Sequence, residues 1–125
     1  MKIRDYIQKH RLITDGAFGT YYETKYDGER EISERANLRY PDRVLSIHRE
    51  YLNAGARLIR TNTFAANTMF LTGKDEVLAT VRAGYTLAEQ AAAEFREEHP
   101  GEDVYVAADL GPIYDMNHQD YEGVL

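Results

Sequence analysis

The sequence of 125 residues contains neither cysteine nor tryptophan. Without cysteine, the chain can form no disulfide, offer no thiolate nucleophile and hold no cysteine-ligated metal ion. Long apolar runs are also missing, since none approaches the ~20 residues that a membrane-spanning helix requires. The opening residues, Met-Lys-Ile-Arg-Asp-Tyr, lack the apolar stretch of a signal peptide. We therefore expect a cytoplasmic protein.

Positive charge is scarce relative to negative charge. There are 15 lysines and arginines against 21 aspartates and glutamates, which gives a net charge of −6. A nucleic-acid-binding surface needs clustered positive charge, and so does attraction to anionic lipid. We therefore expect neither nucleic acid nor membrane among the partners. The hydrophobic content of 43% suffices for a packed core, and the length fits one domain, which we assign to residues 1–125.

Helical periodicity and short apolar runs alternate along the chain. The predicted helices cover residues 3–10, 41–54 and 74–98, and the predicted strands cover residues 11–14, 58–59 and 103–108. Gly84 is expected to kink or split the last helix, and Gly55 to cap the helix before it. The stretch from Tyr21 to Arg39 is charged and poorly patterned, and we interpret it as an irregular excursion with about one helical turn.

Polar side chains follow two of these predicted strands. Thr61, Asn62 and Thr63 come directly after the central strand, and Asp15 comes directly after the first one. In parallel sheets, ligands bind beyond the carboxyl ends of the strands. Short hydroxyl and amide groups placed there can hydrogen-bond a small polar substrate. A solvated strand-to-loop transition, with Asp15 as an ordinary turn or N-cap residue, is the alternative interpretation.

The alternation of strands and helices indicates an α/β fold with a parallel sheet. The polar strand ends then lie on one side, as they do in a (β/α)8 barrel. Such a barrel has eight strands and typically ~250 residues, so three strands cannot close it. The chain is therefore expected to be either a small open sheet or the first three β/α units of a larger TIM barrel, truncated.

Several short motifs resemble, in the same order, those of homocysteine S-methyltransferase domains. Residues 13–20 read ITDGAFGT and resemble the family's (I/L)LDGAMGT, and the later motifs are NL followed by PDRV, IHREYLNAGA, IRTNTF, LAEQA and LGP. The family includes the N-terminal modules of cobalamin-dependent methionine synthase and betaine-homocysteine methyltransferase. Because the motifs span nearly the whole chain, we identify it as the N-terminal part of such a domain.

The resemblance implies a (β/α)8 barrel that transfers a methyl group to the sulfur of homocysteine and so serves methionine biosynthesis. In the family, a zinc ion held by three cysteines binds the thiol as the thiolate that attacks the methyl donor. Those cysteines lie after later strands of the barrel, and this chain has none. We therefore expect no metal ligand and no catalytic residue here, and a fragment that is inactive alone. The donor stays open between betaine, a sulfonium compound and methyltetrahydrofolate acting through cobalamin.

The resemblance also implies which residues bind the amino-acid end of homocysteine. Asp15 corresponds to the aspartate near the substrate ammonium group, with which a carboxylate pairs. Gly16 and Ala17 correspond to small residues whose backbone amides approach the substrate carboxylate. Thr61 corresponds to a pocket threonine at the end of the central strand, and Asn62 is a further candidate beside it.

Arg60 departs from the family, which usually has glutamate before this threonine. Because neighbouring side chains of a strand point to opposite faces, we expect a structural role for Arg60, with a change in the local field as the alternative. The histidines correspond to no metal ligand of the family. His48 lies on or beside the apolar face of its helix and is interpreted as a packed helix histidine.

Two other functions stay open. A three-stranded parallel sheet leaves its edges and an apolar face uncovered, so the chain could be a non-catalytic remnant that self-associates. Beside homocysteine and a methyl donor, the expected partner is therefore either a second copy, in a homo-oligomer, or the remainder of the barrel. The glycines at positions 16 and 19 could instead cradle a phosphate, although the full GxGxxG fingerprint and the P-loop lysine are absent.

Overall fold

The fold contains five α-helices and two short strands in the part of the chain that the computed structural model describes, residues 1–26 and 31–113. In chain order the elements are α1 (Ile3–Lys9), α2 (Phe18–Lys25), a 3₁₀ turn (Ser33–Arg35), α3 (Ala36–Arg39), α4 (Pro41–Asn53), β1 (Leu58–Arg60), α5 (Gly73–Glu98) and β2 (Tyr105–Ala107). The three predicted helices, α1, α4 and α5, are thereby confirmed. Within the described ranges, no helix combines the length and the hydrophobicity needed to cross a bilayer.

The two strands form a parallel sheet. β1 and β2 pair in register from Leu58 opposite Tyr105 to Arg60 opposite Ala107. α5 provides the crossover that a parallel pair requires, so the predicted parallel arrangement is confirmed for this pair. Ile59, in the middle of β1, is fully buried, as expected for a strand covered by helices.

The predicted first strand at residues 11–14 is wrong in extent, because only Thr14 forms a bridge, parallel to Leu58. The N–H of Leu58 donates to the carbonyl oxygen of Ile13 (3.2 Å), and the N–H of Asp15 donates to the carbonyl oxygen of Leu58 (3.0 Å). Beyond Asp15 the chain turns towards α2, so the ladder ends after these bonds. In the described residues, the expected three β/α units are therefore represented by two strands and one bridge.

The core lies between α4, α5 and the sheet. α4 begins with proline, whose missing N–H costs nothing at the first helical position. Its apolar side chains recur at helical spacing, and Val44, Ile47 and Leu52 are at most 1% exposed. They belong to one cluster with Ala92 of α5, and burial of each large apolar side chain contributes roughly 1.5–3 kcal/mol. Gly55, just past the end of α4, has φ of +114°, which confirms the predicted glycine cap.

His48 is confirmed as a packed helix histidine. It is fully buried in α4, and its ring centroid lies 5.1 Å from that of Phe18. Neither ring nitrogen has a hydrogen-bond partner, and burial lowers the pKa of His48 from 6.5 to about 4. The imidazole is therefore neutral at pH 7.

The described residues of the stretch from Tyr21 to Arg39, which is predicted as irregular, are largely helical, because α2, the 3₁₀ turn and α3 contain most of them. α2 buries only Tyr22, so it carries no apolar period that sequence analysis can detect. Polar bonds hold the second half of the stretch. Nδ2 of Asn37 donates to the carbonyl oxygens of Asn62 (2.7 Å) and Thr80 (3.1 Å). Tertiary contacts thus stabilise helices whose local pattern is weak.

α5 runs as one helix of 26 residues through Gly84, so the predicted break is wrong. A Cβ at this position would lie 2.7 Å from Cγ2 of Thr63 and 2.8 Å from Nδ2 of Asn37. Both distances are shorter than ordinary van der Waals contact. The glycine therefore serves close packing, because it lets α5 approach the segment that follows β1.

Candidate functional site

A cavity of about 330 Å³ lies at the carboxyl ends of the parallel strands. Its wall consists of residues 15–20 at the start of α2, Glu34 of the 3₁₀ turn, residues 60–64 at and after the end of β1, and Asp109 after β2. All of the substrate-binding candidates from the sequence border it. The structure therefore brings them together, as positions after neighbouring parallel strands lead one to expect.

Asp15 is paired with Arg60. Nε of Arg60 donates to Oδ1 of Asp15 (2.9 Å), and the backbone N–H of Arg60 donates to Oδ2 (2.9 Å). A third bond runs from Nη2 of Arg60 to the carbonyl oxygen of Gly16 (2.8 Å). The hydrogen bond to the Asp15 carboxylate raises the pKa of Arg60. Because the Asp15 side chain is only 1% exposed, its charge is compensated from within the chain rather than by water.

Arg60 borders the cavity, which strand pleating alone does not lead one to expect. Alternation predicts that Arg60 and Thr61 face opposite sides, yet both border the cavity. β1 ends at Arg60, so the alternation no longer applies to the residue that follows, and the long arginine side chain reaches Asp15. A positive charge therefore enters the cavity at the position where the resemblance leads one to expect glutamate.

The hydroxyl of Thr61 ties the two strand ends together. Its Oγ1 accepts a bond from the backbone N–H of Asp109 (3.1 Å) and lies 2.7 Å from Oγ1 of Thr63. Oγ1 of Thr63 donates to the carbonyl oxygen of Asp109 (2.7 Å). Since Thr63 uses its hydrogen there, Thr61 is the donor between the two hydroxyls. The Thr61 hydroxyl keeps one lone pair with which it can accept a bond from a ligand.

The side chain of Asn62 is engaged within the protein. Its Nδ2 donates to the carbonyl oxygen of Ser33 (2.9 Å) and to Oδ1 of Asn37 (2.9 Å), while its Oδ1 accepts from Oγ of Ser33 (3.0 Å). These bonds anchor the 3₁₀ turn and α3 to the end of β1. A direct contact between Asn62 and a ligand stays a prediction.

Glu34 is a cavity residue that sequence analysis misses. It is 5% exposed, its Oε1 lies 3.2 Å from Oγ of Ser33, whose hydrogen is shared with Asn62, and its Oε2 is buried without a partner. Burial raises the pKa of Glu34 above its ordinary 4.5, although hydrogen bonds to the carboxyl group oppose this shift, and the nearby charge of Asp109 adds a smaller increase. Glu34 lies in the charged stretch that shows no periodicity, so no sequence signal distinguishes it from a surface acid.

Gly16 and Ala17 lead into the N-terminus of α2. No side chain caps this end of the helix, where the first N–H groups have no partner within the helix and the helix dipole favours negative charge. A Cβ at position 16 would lie 3.1 Å from the hydroxyl of Tyr51. A larger residue there would press against Tyr51, so glycine lets this segment pass close to α4.

The residues present do not fit a resident zinc ion. Among residues 1–26 and 31–113, no group of three or more histidine, cysteine, aspartate or glutamate side chains is arranged to hold a metal. The sequence also lacks the cysteines that the resemblance implies as zinc ligands. Zinc ligands, if this chain works with zinc, have to come from outside the described residues.

Sequence comparison identifies relatives of this chain. The sequence model of the homocysteine S-methyltransferase family matches residues 12–124. The methionine synthase of Mycobacterium leprae (strain TN) is 30% identical over 125 residues, which cover 90% of this chain and 10% of that protein. The methionine synthase of Mycobacterium tuberculosis (strain ATCC 25618 / H37Rv) is 28% identical over 130 residues, which cover 94% and 11%. The chain thus spans about a tenth of the length of these relatives.

Solved structures of the homocysteine methyltransferase MmuM from Escherichia coli resemble this one. The metallated form matches with a TM-score of 0.75 at 23% identity, over 88% of this chain and 41% of that chain. The apo form matches with a TM-score of 0.66, over 85% and 38%. This likeness concerns the fold, and it supports an α/β arrangement like that of the corresponding part of MmuM. Because the family model covers nearly the whole sequence, the chain belongs to the homocysteine S-methyltransferase family.

Proposed function

We propose that this chain supplies the amino-acid-binding part of a zinc-dependent homocysteine S-methyltransferase, which transfers a methyl group to homocysteine and yields methionine. The chain forms the first β/α units of a (β/α)8 barrel, and further residues or another chain complete the barrel. The observation that carries the proposal is the gathering of Asp15, Gly16, Ala17, Thr61 and Asn62 around one cavity at the strand ends.

The cavity is suited to a zwitterionic amino acid. The N-terminus of α2, beside Gly16 and Ala17, favours a carboxylate. The carboxylate side chains that border the cavity provide negative charge for an ammonium group. The hydroxyl of Thr61 adds a neutral hydrogen-bond acceptor. An α-amino acid carries both charges on one carbon, so both kinds of contact can be made within a small volume.

Zinc and the methyl donor belong to parts of the enzyme outside the described residues. Zinc supplies the thiolate form of homocysteine when it is bound, and the described residues offer no cluster for it. The donor is betaine, a sulfonium compound or methyltetrahydrofolate acting through cobalamin. We expect the 125-residue chain to be inactive without the rest of the barrel, and the enzyme to act in the cytoplasm.

Self-association without catalysis is the second candidate function. Ile13, Phe64 and Leu110 are 57%, 53% and 89% exposed, and they flank the two-stranded sheet. Apolar side chains in this position are normally covered. A second copy of the chain could cover them, as could the remaining units of the barrel.

Calorimetric titration of homocysteine into the full chain tests the proposed function. We expect saturable binding, and Asp15→Asn should weaken it at least about tenfold, because a buried charge at the amino-acid end of the cavity is lost. Asp42→Asn, an exposed acid of α4 outside the cavity, is the control and should leave the affinity unchanged. If neither the chain nor the longest natural protein that contains it binds homocysteine, the proposal is wrong.

A further inference from the structure

The charged side chains that line the cavity are not equally available to a ligand. They are three acids, Asp15, Glu34 and Asp109, and one base, Arg60. Asp15 already accepts two bonds from Arg60, one to each carboxylate oxygen, at 2.9 Å. A ligand ammonium group could reach Asp15 only by displacing Arg60. That exchange replaces one charge-assisted pair with another and gains little.

Arg60 retains hydrogen-bonding capacity on its outer edge. Its Nε and one hydrogen of Nη2 are used by Asp15 and Gly16, which leaves both hydrogens of Nη1 and the second hydrogen of Nη2. The side chain is 42% exposed and borders the cavity. The two Nη atoms form a fork that matches the two oxygens of a carboxylate. The pair with Asp15 holds this fork in place.

Glu34 has an unused hydrogen-bond acceptor, whereas Arg60 has unused donors. Its Oε2 is buried without a hydrogen-bond partner, although the residue borders the same cavity. An unpaired buried carboxylate oxygen is costly, and a cationic donor would relieve that cost. The other oxygen, Oε1, lies 3.2 Å from Oγ of Ser33, so Oε2 is the oxygen without a partner.

We propose that Arg60 and Glu34 bind the two charges of the α-amino-acid ligand directly, Arg60 the carboxylate and Glu34 the ammonium group. Asp15 is then a positioning residue that orients Arg60. This inference rests on the proposed function, and it assigns to the cavity two ligand contacts that the resemblance does not supply. Asp109 adds negative charge near Glu34 and so strengthens the preference for a cation at that end.

Ligands that lack one charge separate the two contacts. The full chain is titrated calorimetrically with homocysteine, with 4-mercaptobutanoate, which lacks the ammonium group, and with 3-mercaptopropylamine, which lacks the carboxylate. Glu34→Gln should weaken homocysteine roughly ten- to hundredfold, as expected for a lost charged hydrogen bond, and should leave 4-mercaptobutanoate unchanged. Arg60→Gln should weaken homocysteine similarly and should not weaken 3-mercaptopropylamine, which lacks the carboxylate and which the unpaired Asp15 would attract.

Two further variants keep the test decisive. Glu23→Gln changes an exposed acid of α2 outside this cavity and should alter none of the affinities. Arg60→Gln could fail to fold because Asp15 loses its partner. In that case the Asp15→Asn/Arg60→Gln double variant, which removes both charges, is titrated instead. The double variant should likewise bind homocysteine weakly and 3-mercaptopropylamine as the unmodified chain does.

The outcomes distinguish this inference from the proposed function. If Glu34→Gln binds homocysteine normally while Asp15→Asn alone loses the preference for an ammonium group, the ligand pairs with Asp15 and the inference is overturned, although the function stands. If Glu34→Gln weakens homocysteine and 4-mercaptobutanoate equally, Glu34 is structural and the inference is again overturned. If neither the unmodified chain nor the longest natural protein that contains it binds any of the three ligands, the proposed function fails, and the inference fails with it.

Discussion

Water hardly reaches the Asp15 carboxylate, whereas the side chain of its partner Arg60 is 42% exposed. Such a pair responds asymmetrically to mutation, because removal of the exposed partner leaves a buried charge that water cannot reach. Removal of both charges leaves neutral groups that can still hydrogen-bond. We therefore expect that replacing both residues by neutral ones costs little stability, whereas replacing Arg60 alone costs much more.

Arg60→Gln should lower the free energy of unfolding by about 3 kcal/mol, while the Asp15→Asn/Arg60→Gln double variant should lose clearly less. Urea denaturation at pH 7 measures both. The matched control is Arg49→Gln, which breaks the exposed pair of Arg49 and Glu94 at 2.8 Å and should cost less than about 1 kcal/mol. If Arg60→Gln lowers the free energy of unfolding no more than Arg49→Gln does, the prediction that breaking the buried pair is costly is wrong.

His48→Leu should remove a specific part of the dependence of stability on pH. The pKa of His48 is about 4 in the folded chain, against 6.5 ordinarily, so the unfolded chain binds more protons between these values. The contribution to stability is present above pH 6.5 and is lost as pH falls towards 4, by roughly 3 kcal/mol at most. Urea denaturation at several pH values gives the free energy of unfolding as a function of pH. Below pH 6.5, this free energy should change less with pH in His48→Leu than in the unmodified chain. Parallel curves for the two proteins would contradict the prediction.

The elements divide into those with a local signal and those without one. α4 carries its own signal, because proline opens it, apolar residues recur along one face, and Gly55 ends it. α2 buries a single side chain and is stabilised by contacts with distant residues. The predicted strand at residues 11–14 is reduced to a bridge at Thr14, because too few residues pair there. Sequence analysis finds the elements whose burial repeats with a period and misses those that are held by individual contacts.

The site divides in the same way. Asp15 and Thr61 could be placed together because both follow chain segments that pair in parallel. The pairing of Arg60 with Asp15 depends on the exact residue at which β1 ends. The end of a strand cannot be predicted from sequence to within one residue. Glu34 enters the cavity through a turn held by the bonds of Ser33 and Asn62. No local pattern encodes that arrangement.

Gly84→Ala tests the packing of α5 against the end of β1. Alanine is favoured over glycine within a helix by about 1 kcal/mol. The added Cβ would, however, lie 2.7 Å from Cγ2 of Thr63, and such overpacking costs about 1–3 kcal/mol. We expect a net loss of stability in urea denaturation, with part of the loss recovered in Gly84→Ala/Thr63→Ser. A more stable Gly84→Ala variant would show that helix propensity outweighs the contact.

In the described part of the whole molecule, the sheet has two strands, and beyond them only the bridge at Thr14 pairs with the outer edge of β1. A short two-stranded sheet is weakly stable unless other elements cover it, and unpaired strand edges invite association. Here the helices cover Ile59 completely, but the side chains that flank the sheet and its strand ends are exposed. The 125-residue chain therefore buries its own core and still exposes apolar side chains beside the sheet.

Leu110→Lys should reduce self-association of the 125-residue chain without unfolding it. Leu110 is 89% exposed just beyond β2, so within one chain the charge costs little, whereas in an apolar interface it would be buried without a partner. Sedimentation velocity over a range of concentrations should show assemblies for the unmodified chain and a shift towards monomer for the variant.

The control is Ile7→Lys in α1, which is also exposed but lies near the opposite end of β2, where Tyr6 contacts Tyr105. A monomeric unmodified chain would contradict the need for a partner, and an equal effect of Ile7→Lys would show that added charge alone, rather than the position of Leu110, controls association.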